Sequence, residues 1–282
     1  LVISDYLTRN GIAVLRYDDR GIGGSRMDNI EDLKEDTSED FATDVDVMIH
    51  AARIHPIIDN KRVGVIGHSE GGIIGPMVAA GDPKLAFVVM LAGPGVAGYE
   101  LLPVQQARLI QSSGANQELI DSILHASMSL YEMMESDASD EEIREQMAEL
   151  VKIQLSAQGL EVTEEIYEQA INEGLETMAL PWMQFFLFHD PAPVLEKIKC
   201  PVLAMNGTKD VQVDSVQNLT VIKEVKENFD RDITIVELVG LNHLFQLATT
   251  GSVAEYAQIE TTFDPEALAI MTEWIDEVTD GY

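Results

Sequence analysis

Ser69 lies at the centre of the run Gly67-His68-Ser69-Glu70-Gly71-Gly72. A serine hydroxyl becomes a useful nucleophile only when a neighbouring base takes its proton, and that base must be held in one tautomer by an acceptor on its other nitrogen. The surroundings of Ser69 suit the first requirement. An apolar, β-branched segment, Val63-Gly64-Val65-Ile66, leads into the run, and a second apolar segment, Ile73 to Ala80, leaves it. That pattern reads as strand, tight turn and helix with Ser69 at the apex. Glycine at positions −2 and +2 lets the strand and helix backbones approach closely, which lifts the hydroxyl out of the sheet edge. The plainer alternative is an ordinary loop of small residues between a strand and a helix.

A base and its orienting acid are then sought by position. In an open parallel sheet, ligands gather at the carboxyl ends of the strands, and Ser69, Asp210 and His243 all follow expected strand ends. On this architecture the order along the chain is nucleophile, acid, histidine. His50 and His55 precede Ser69, His68 is beside it, and His125 and His189 precede the acid, so only His243 follows both Ser69 and Asp210. Two acids compete. Asp210 closes the strand-end loop Gly207-Thr208-Lys209-Asp210, whereas Asp214 stands where a helix begins and reads as its N-cap. Asp210 is therefore taken as the orienting acid and Asp214 as the cap. Glu70 either repels an anionic substrate or binds a cationic group, or it pairs with a basic residue of a neighbouring loop, Arg20 being the candidate.

The elements that must position these residues alternate. Residues 1–10 space apolar side chains at helical intervals and end at Gly11; Ile12 to Tyr17 reads as a buried strand; Thr37 through Ile54 is an amphipathic helix presenting Phe41, Val45, Met48, Ile49 and Ala52. Strands at 62–67, Phe87 to Ala92, Val202 to Asn206 and Ile233 to Leu238 alternate with helices at 71–80, 214–229 and Pro265 to Val278, the last capped by Asp264. Strands that are apolar throughout imply a parallel sheet covered on both faces. The expectation is an α/β protein with its core in residues 1–97 and 191–282. Residues 98–190 break the alternation as a helical insertion, with turns at Ser112-Ser113-Gly114, Asp137-Ala138-Ser139 and Gln158-Gly159 and a capping box from Ser139 to Glu142. This insertion reads as a cap over the carboxyl edge, with Met183 and Phe186 as candidate substrate-lining residues; methionine and aromatic side chains at helical spacing also serve a helical domain's own core.

Composition narrows the function classes. Asp and Glu number 49 against 18 Lys and Arg, a net charge of −31, which repels nucleic acid and anionic lipid. Neither a nucleic-acid nor a membrane partner is expected. The acidity reads as adaptation to high salt, with plain acidic bias as the alternative. Gly21-Ile22-Gly23-Gly24 falls short of a dinucleotide fingerprint, because Arg26 stands where its third glycine is required. A single cysteine, Cys200, excludes an internal disulfide and reads as a buried structural thiol. There is no paired-histidine metal motif, so no metal ion and no cofactor are expected. A soluble protein is expected, cytoplasmic or, if a leader precedes Leu1, exported.

Together, Asp18-Asp19-Arg20-Gly21-Ile22-Gly23-Gly24-Ser25, Gly67-His68-Ser69-Glu70-Gly71-Gly72, Asn206-Gly207-Thr208-Lys209-Asp210 with Gln212-Val213, and Asn242-His243 resemble the α/β-hydrolase superfamily, and within it the serine-aminopeptidase-like esterase branch with a helical cap. The resemblance implies carboxylester hydrolysis on short to medium acyl esters through an acyl-enzyme. Ser69 would be nucleophile, His243 general base and then acid, Asp210 its orienter, and the Glu70 N–H one donor to the oxyanion. A peptidase or aminopeptidase-like amidase, and a non-catalytic binding protein of the same fold, are the alternatives. The resemblance also implies strands and a second oxyanion donor ahead of Leu1. On that reading the sequence is N-terminally shortened and its first strands are absent, so the chain is either weakly active or completes its sheet in a homo-oligomer. The expected small-molecule partner is an ester.

The high-salt reading has a direct test. The unfolding midpoint should rise as NaCl goes from ~0.1 M to ~1 M, over which the screening length falls from about 10 Å to about 3 Å. A midpoint that stays flat or falls would leave the acidity without that explanation.

Overall fold

Four strands, β1 (Val65–His68), β2 (Val88–Leu91), β3 (Val202–Gly207) and β4 (Ile233–Leu238), pair in sequence order and all in parallel in the computed structural model, which describes residues 1–26, 34–157 and 163–280. The register aligns Gly67 with Met90 and Leu91 with Met205, so the strands finish along a common carboxyl edge. Side chains of a strand alternate between faces, and here both faces are covered. Val88, Met90, Val202 and Ala204 pack with Ile49, Val78 and Ile222 on one side. Val89, Leu91, Leu203 and Met205 pack with Leu7, Met271 and Trp274 on the other. Two apolar faces explain why β2 and β3 read as continuous hydrophobic runs.

Helices supply those covers. α1 (Val2–Arg9) ends at Asn10, and Gly11 follows at φ 89°, a left-handed conformation open to glycine at no steric cost. α2 (Ser38–Ile54) is capped by Thr37 in a reciprocal box with Asp40, and α3 (Gly71–Gly81) follows β1. Between β2 and β3 lie α4 (Gly98–Ser112), α5 (Gln117–Glu135), α6 (Asp140–Ala157), α7 (Glu164–Ala179), α8 (Pro181–Phe188) and the short α9 (Ala192–Leu195). The expected box at Ser139 and Glu142 is present, with the Glu142 carboxylate accepting from Ser139 N–H at 2.8 Å. The expected turn at Gln158-Gly159 lies outside the described residues. α10 (Ser215–Phe229) joins β3 to β4, and α11 (Pro265–Thr279) is capped by Asp264. The helices from 98 to 188 bury a separate cluster that includes Ile123, Leu130, Tyr131, Met147, Ile171, Met183 and Leu187. Among the described residues no helix is long and apolar enough to cross a membrane.

One expected element does not form. Residues 12–17 are not a buried strand: Ile12 and Val14 rest on the α1–α11 core, while Ala13, Leu15 and Tyr17 are exposed. Residues 13–17 make no main-chain hydrogen bond among the described residues. The apolar run supplies one packing face but no neighbouring strand, and a strand needs a ladder partner for its amides and carbonyls.

Cys200 is half-buried against the α2–α3–α10 core, and burial pushes its thiol up to about 11. Reactivity follows the thiolate fraction. Native protein at pH 8 should therefore react with a thiol reagent about 10²-fold more slowly than the urea-unfolded chain. Equal rates would show that the thiol is open to solvent.

Candidate active site

The turn at the end of β1 is held by close backbone contacts. A Cβ added at Gly67 would lie 1.9 Å from the Gly71 carbonyl oxygen, and one at Gly72 would lie 2.4 Å from the Gly93 Cα beyond β2. Only hydrogen fits in either place. Ser69 itself adopts φ 56°, which costs a non-glycine residue roughly 1–2 kcal/mol. Its N–H donates to the Leu91 carbonyl at 2.9 Å and its carbonyl accepts from Gly72 N–H at 2.8 Å, so the strained residue is fixed from both sides. Glu70 follows at the N-cap of α3. Its N–H has no acceptor among the described residues, as expected in the first turn of a helix, whose leading amides have no partner within it.

Asp210 and His243 meet at the same edge. Asp210 Oδ2 accepts from His243 Nδ1 at 2.9 Å, while its Oδ1 accepts from Gln212 N–H at 2.8 Å and Val213 N–H at 2.9 Å. The carboxylate is fully buried. With this acceptor on Nδ1, the lone pair of a neutral ring falls on Nε2. The His243 loop is laced from below: Asn242, also fully buried, accepts from Leu244 N–H and Gln246 N–H and donates to Gln246 Oε1. The two loops are joined as well, since Lys209 N–H donates to the Leu241 carbonyl at 2.9 Å and Gly240 N–H to Thr208 Oγ1 at 2.8 Å.

His68 links the elbow to that loop. Its Nε2 contacts the His243 carbonyl at 2.8 Å, and because a carbonyl only accepts, Nε2 carries the proton. The two imidazole centroids are 4.7 Å apart. Loss of hydration against the loop lowers the His68 pKa from the ordinary histidine value, although another edge of the side chain stays exposed. Among the described residues no hydrogen bond joins Ser69 Oγ to His243; such contacts are often long before substrate is bound.

Asp214 caps α10, accepting from Gln217 N–H at 2.9 Å, and pairs with Arg108 of α4 at 2.6 Å. Glu70 does not pair with Arg20. Asp36 and Asp44 hold that guanidinium at 2.9 and 2.7 Å, because α2 and the segment before it turn their carboxylates toward it. Glu70 Oε1 instead accepts from Ser38 Oγ and from Trp182 Nε1, both at 2.7 Å. Met183 lies within the insertion's own core. Phe186 stacks on Trp182 with centroids 5.8 Å apart and packs beside Val96, Leu101 and Val213. Ser38 and Trp182 escaped sequence reasoning; the aromatic run opening at Trp182 was the one signal. No group of His, Cys, Asp and Glu suited to a metal ion occurs among the described residues.

A family model described as serine aminopeptidase, S33, matches residues 2–181. The chain belongs to that family. This S33 member has the α/β-hydrolase fold, in agreement with its likeness to solved structures. The α/β hydrolase GrgF from Penicillium sp. sh18 is 16% identical with a TM-score of 0.53, over 99% of this chain and 83% of that one. DcsB, solved with a substrate analogue, is 18% identical with a TM-score of 0.53, over 99% and 85%. The meta-cleavage product hydrolase CumD from Pseudomonas fluorescens IP01 is 12% identical with a TM-score of 0.52, over 99% and 85%. No curated protein matches the S33 chain.

The strain at Ser69 predicts a difference between two variants. Ser69→Gly should be more stable than Ser69→Ala by about 1 kcal/mol in urea unfolding, because only glycine relaxes at positive φ. Gly72→Ala should lose about 1–3 kcal/mol from overpacking against Gly93. If the two Ser69 variants are equally stable, the surrounding contacts rather than backbone strain govern the turn.

Proposed function

We propose that this chain is a serine hydrolase of carboxylic esters, with short to medium acyl groups, working through an acyl-enzyme. The observation that carries the reading is the buried Asp210–His243 hydrogen bond of 2.9 Å on the edge that also holds the strained Ser69 turn. In the proposed sequence, His243 Nε2 takes the Ser69 proton as Oγ attacks the ester carbonyl. The negative charge on the carbonyl oxygen is met by the Glu70 N–H, and Asp210 holds the imidazolium in place. Collapse expels the alcohol, which takes the proton back from His243, and leaves the acyl group on Oγ. Water then enters and gives its proton to His243 as it attacks the acyl carbonyl. The carboxylic acid leaves as the bond to Oγ breaks and His243 returns that proton to Ser69 Oγ. The two acid–base steps use one nitrogen, which suits a ring pinned at Nδ1.

The helical insertion acts as the cap in this reading. Among the described residues its polar contacts to the edge besides Glu70 include Arg108 on Asp214, Gln105 Nε2 on the Gln212 carbonyl at 3.1 Å, and Glu100's carbonyl accepting from Gln217 Nε2 at 2.9 Å. Phe186, stacked on Trp182, packs with Val96, Leu101 and Val213 beside these contacts, which favours an apolar acyl group. The family's description as serine aminopeptidase favours a second reading, hydrolysis of an amide beside a free amino terminus by the same residues.

A fluorophosphonate should label Ser69 and block turnover. Asp210→Asn should lower kcat on p-nitrophenyl butyrate by roughly 10³–10⁴, whereas Asp214→Asn, which keeps a capping side chain, should stay within a few-fold. A larger loss in Asp214→Asn would reverse the assignment. Aminoacyl amides turned over faster than p-nitrophenyl esters would favour the aminopeptidase reading instead.

A further inference from the structure

Glu70 has two duties in one residue. Its N–H is the oxyanion donor of the proposed reaction, on which this inference rests, and its side chain joins three parts of the molecule. Oε1 accepts from Ser38 Oγ, at the first position of α2, and from Trp182 Nε1, at the start of α8 in the insertion. Ser38 is completely buried, so its hydroxyl has no water to turn to. Trp182 is locked in turn by stacking on Phe186, and α8 packs against α2. A carboxylate beside a developing oxyanion would oppose it by like charge. Two donors on a single oxygen hold that carboxylate in one orientation, and since side chain and N–H share one Cα, they also set the attitude of the peptide that carries the donor.

We propose that Glu70 is a positioning residue that makes the oxyanion donor depend on the docking of the helical insertion through Trp182. When α8 is seated, the Trp182–Glu70–Ser38 chain of hydrogen bonds aligns the Glu70 N–H. When it lifts, that alignment loses one of its two supports. An acyl group that shifts α8 as it binds would thereby tune kcat and not only binding.

The test compares variants per labelled active site, so that misfolded protein is not counted. Glu70→Ala should lower kcat about 10- to 100-fold with KM changed less than threefold. Glu70→Gln, whose amide oxygen still accepts from both donors, should recover kcat to within about fivefold of wild type. Trp182→Phe should fall between them, and the Glu70→Ala/Trp182→Phe double variant should be no slower than Glu70→Ala alone. The chain has two tryptophans, so Trp274→Phe leaves Trp182 as the sole tryptophan, read by excitation near the red edge of its band. In that background a phosphonate adduct on Ser69 should shift Trp182 emission, and adding Glu70→Ala should abolish the shift.

Multiplicative losses in the double variant, Glu70→Ala within twofold of wild-type kcat, or an emission shift that survives Glu70→Ala would each overturn the proposal while leaving the Ser69 mechanism standing. Wild-type protein that neither labels with fluorophosphonate nor turns over esters or amides would overturn that mechanism, and this proposal with it.

Discussion

The carboxyl edge of this sheet depends on two places where backbones come as close as backbones can. At Gly67 the strand passes the start of α3, and at Gly72 that helix passes the segment after β2. Neither contact leaves room for a methyl group. The turn is forced sharp, and the residue at its apex is forced into a left-handed conformation that serine tolerates only because the Leu91 carbonyl and the Gly72 amide hold it there. Strain of this kind persists where surrounding structure over-determines it. The Glu70 amide without an acceptor among the described residues and the proximity of His68 to the His243 loop both follow from those two contacts.

The opposite half of the site is built on a different principle, polar saturation. Asp210 is fully buried and its two oxygens hold three donors, so a large desolvation cost is offset by hydrogen bonds on every side. Asn242 does the same for the histidine loop. The two loops then share main-chain hydrogen bonds, and the 2.1 Å approach that a Cβ at Gly207 would make to the Leu241 carbonyl shows how tightly they nest. Steric closeness fixes the turn at Ser69, and hydrogen bonding fixes Asp210 and His243.

Much of this was legible in the sequence because it is local. The pattern around Ser69, the N-caps at Asp214 and Asp264, and the parallel α/β alternation each depend on residues within a few positions of one another. Chain order and strand-end position singled out His243, the strand-end loop favoured Asp210 over Asp214, and the structure brings Asp210 and His243 together at 2.9 Å. What escaped was non-local. Trp182 reaches Glu70 across 112 positions and Ser38 across 32, and no periodicity encodes such a meeting. Proximity of loops suggests Arg20 as the partner of Glu70, whereas the carboxylates that reach its guanidinium are those of Asp36 and Asp44, at 2.9 and 2.7 Å. The run from Ile12 to Tyr17 failed for a related reason: composition can propose a strand, but a ladder needs a second chain segment beside it.

The insertion leaves the sheet after Leu91 and returns before Val202, yet those ends belong to strands that pair directly, Val88 with Val202 and Leu91 with Met205. Closing a loop costs entropy that grows only with the logarithm of its length, so doubling this one adds about 0.6 kcal/mol. The helices between β2 and β3 also carry their own core, separate from the two cores that flank the sheet. Seen as inheritance, the insertion is an exchangeable part. A lineage could lengthen, shorten or replace it wholesale with little penalty to the register beneath, provided the newcomer offered Glu70 a donor in place of the Trp182 indole.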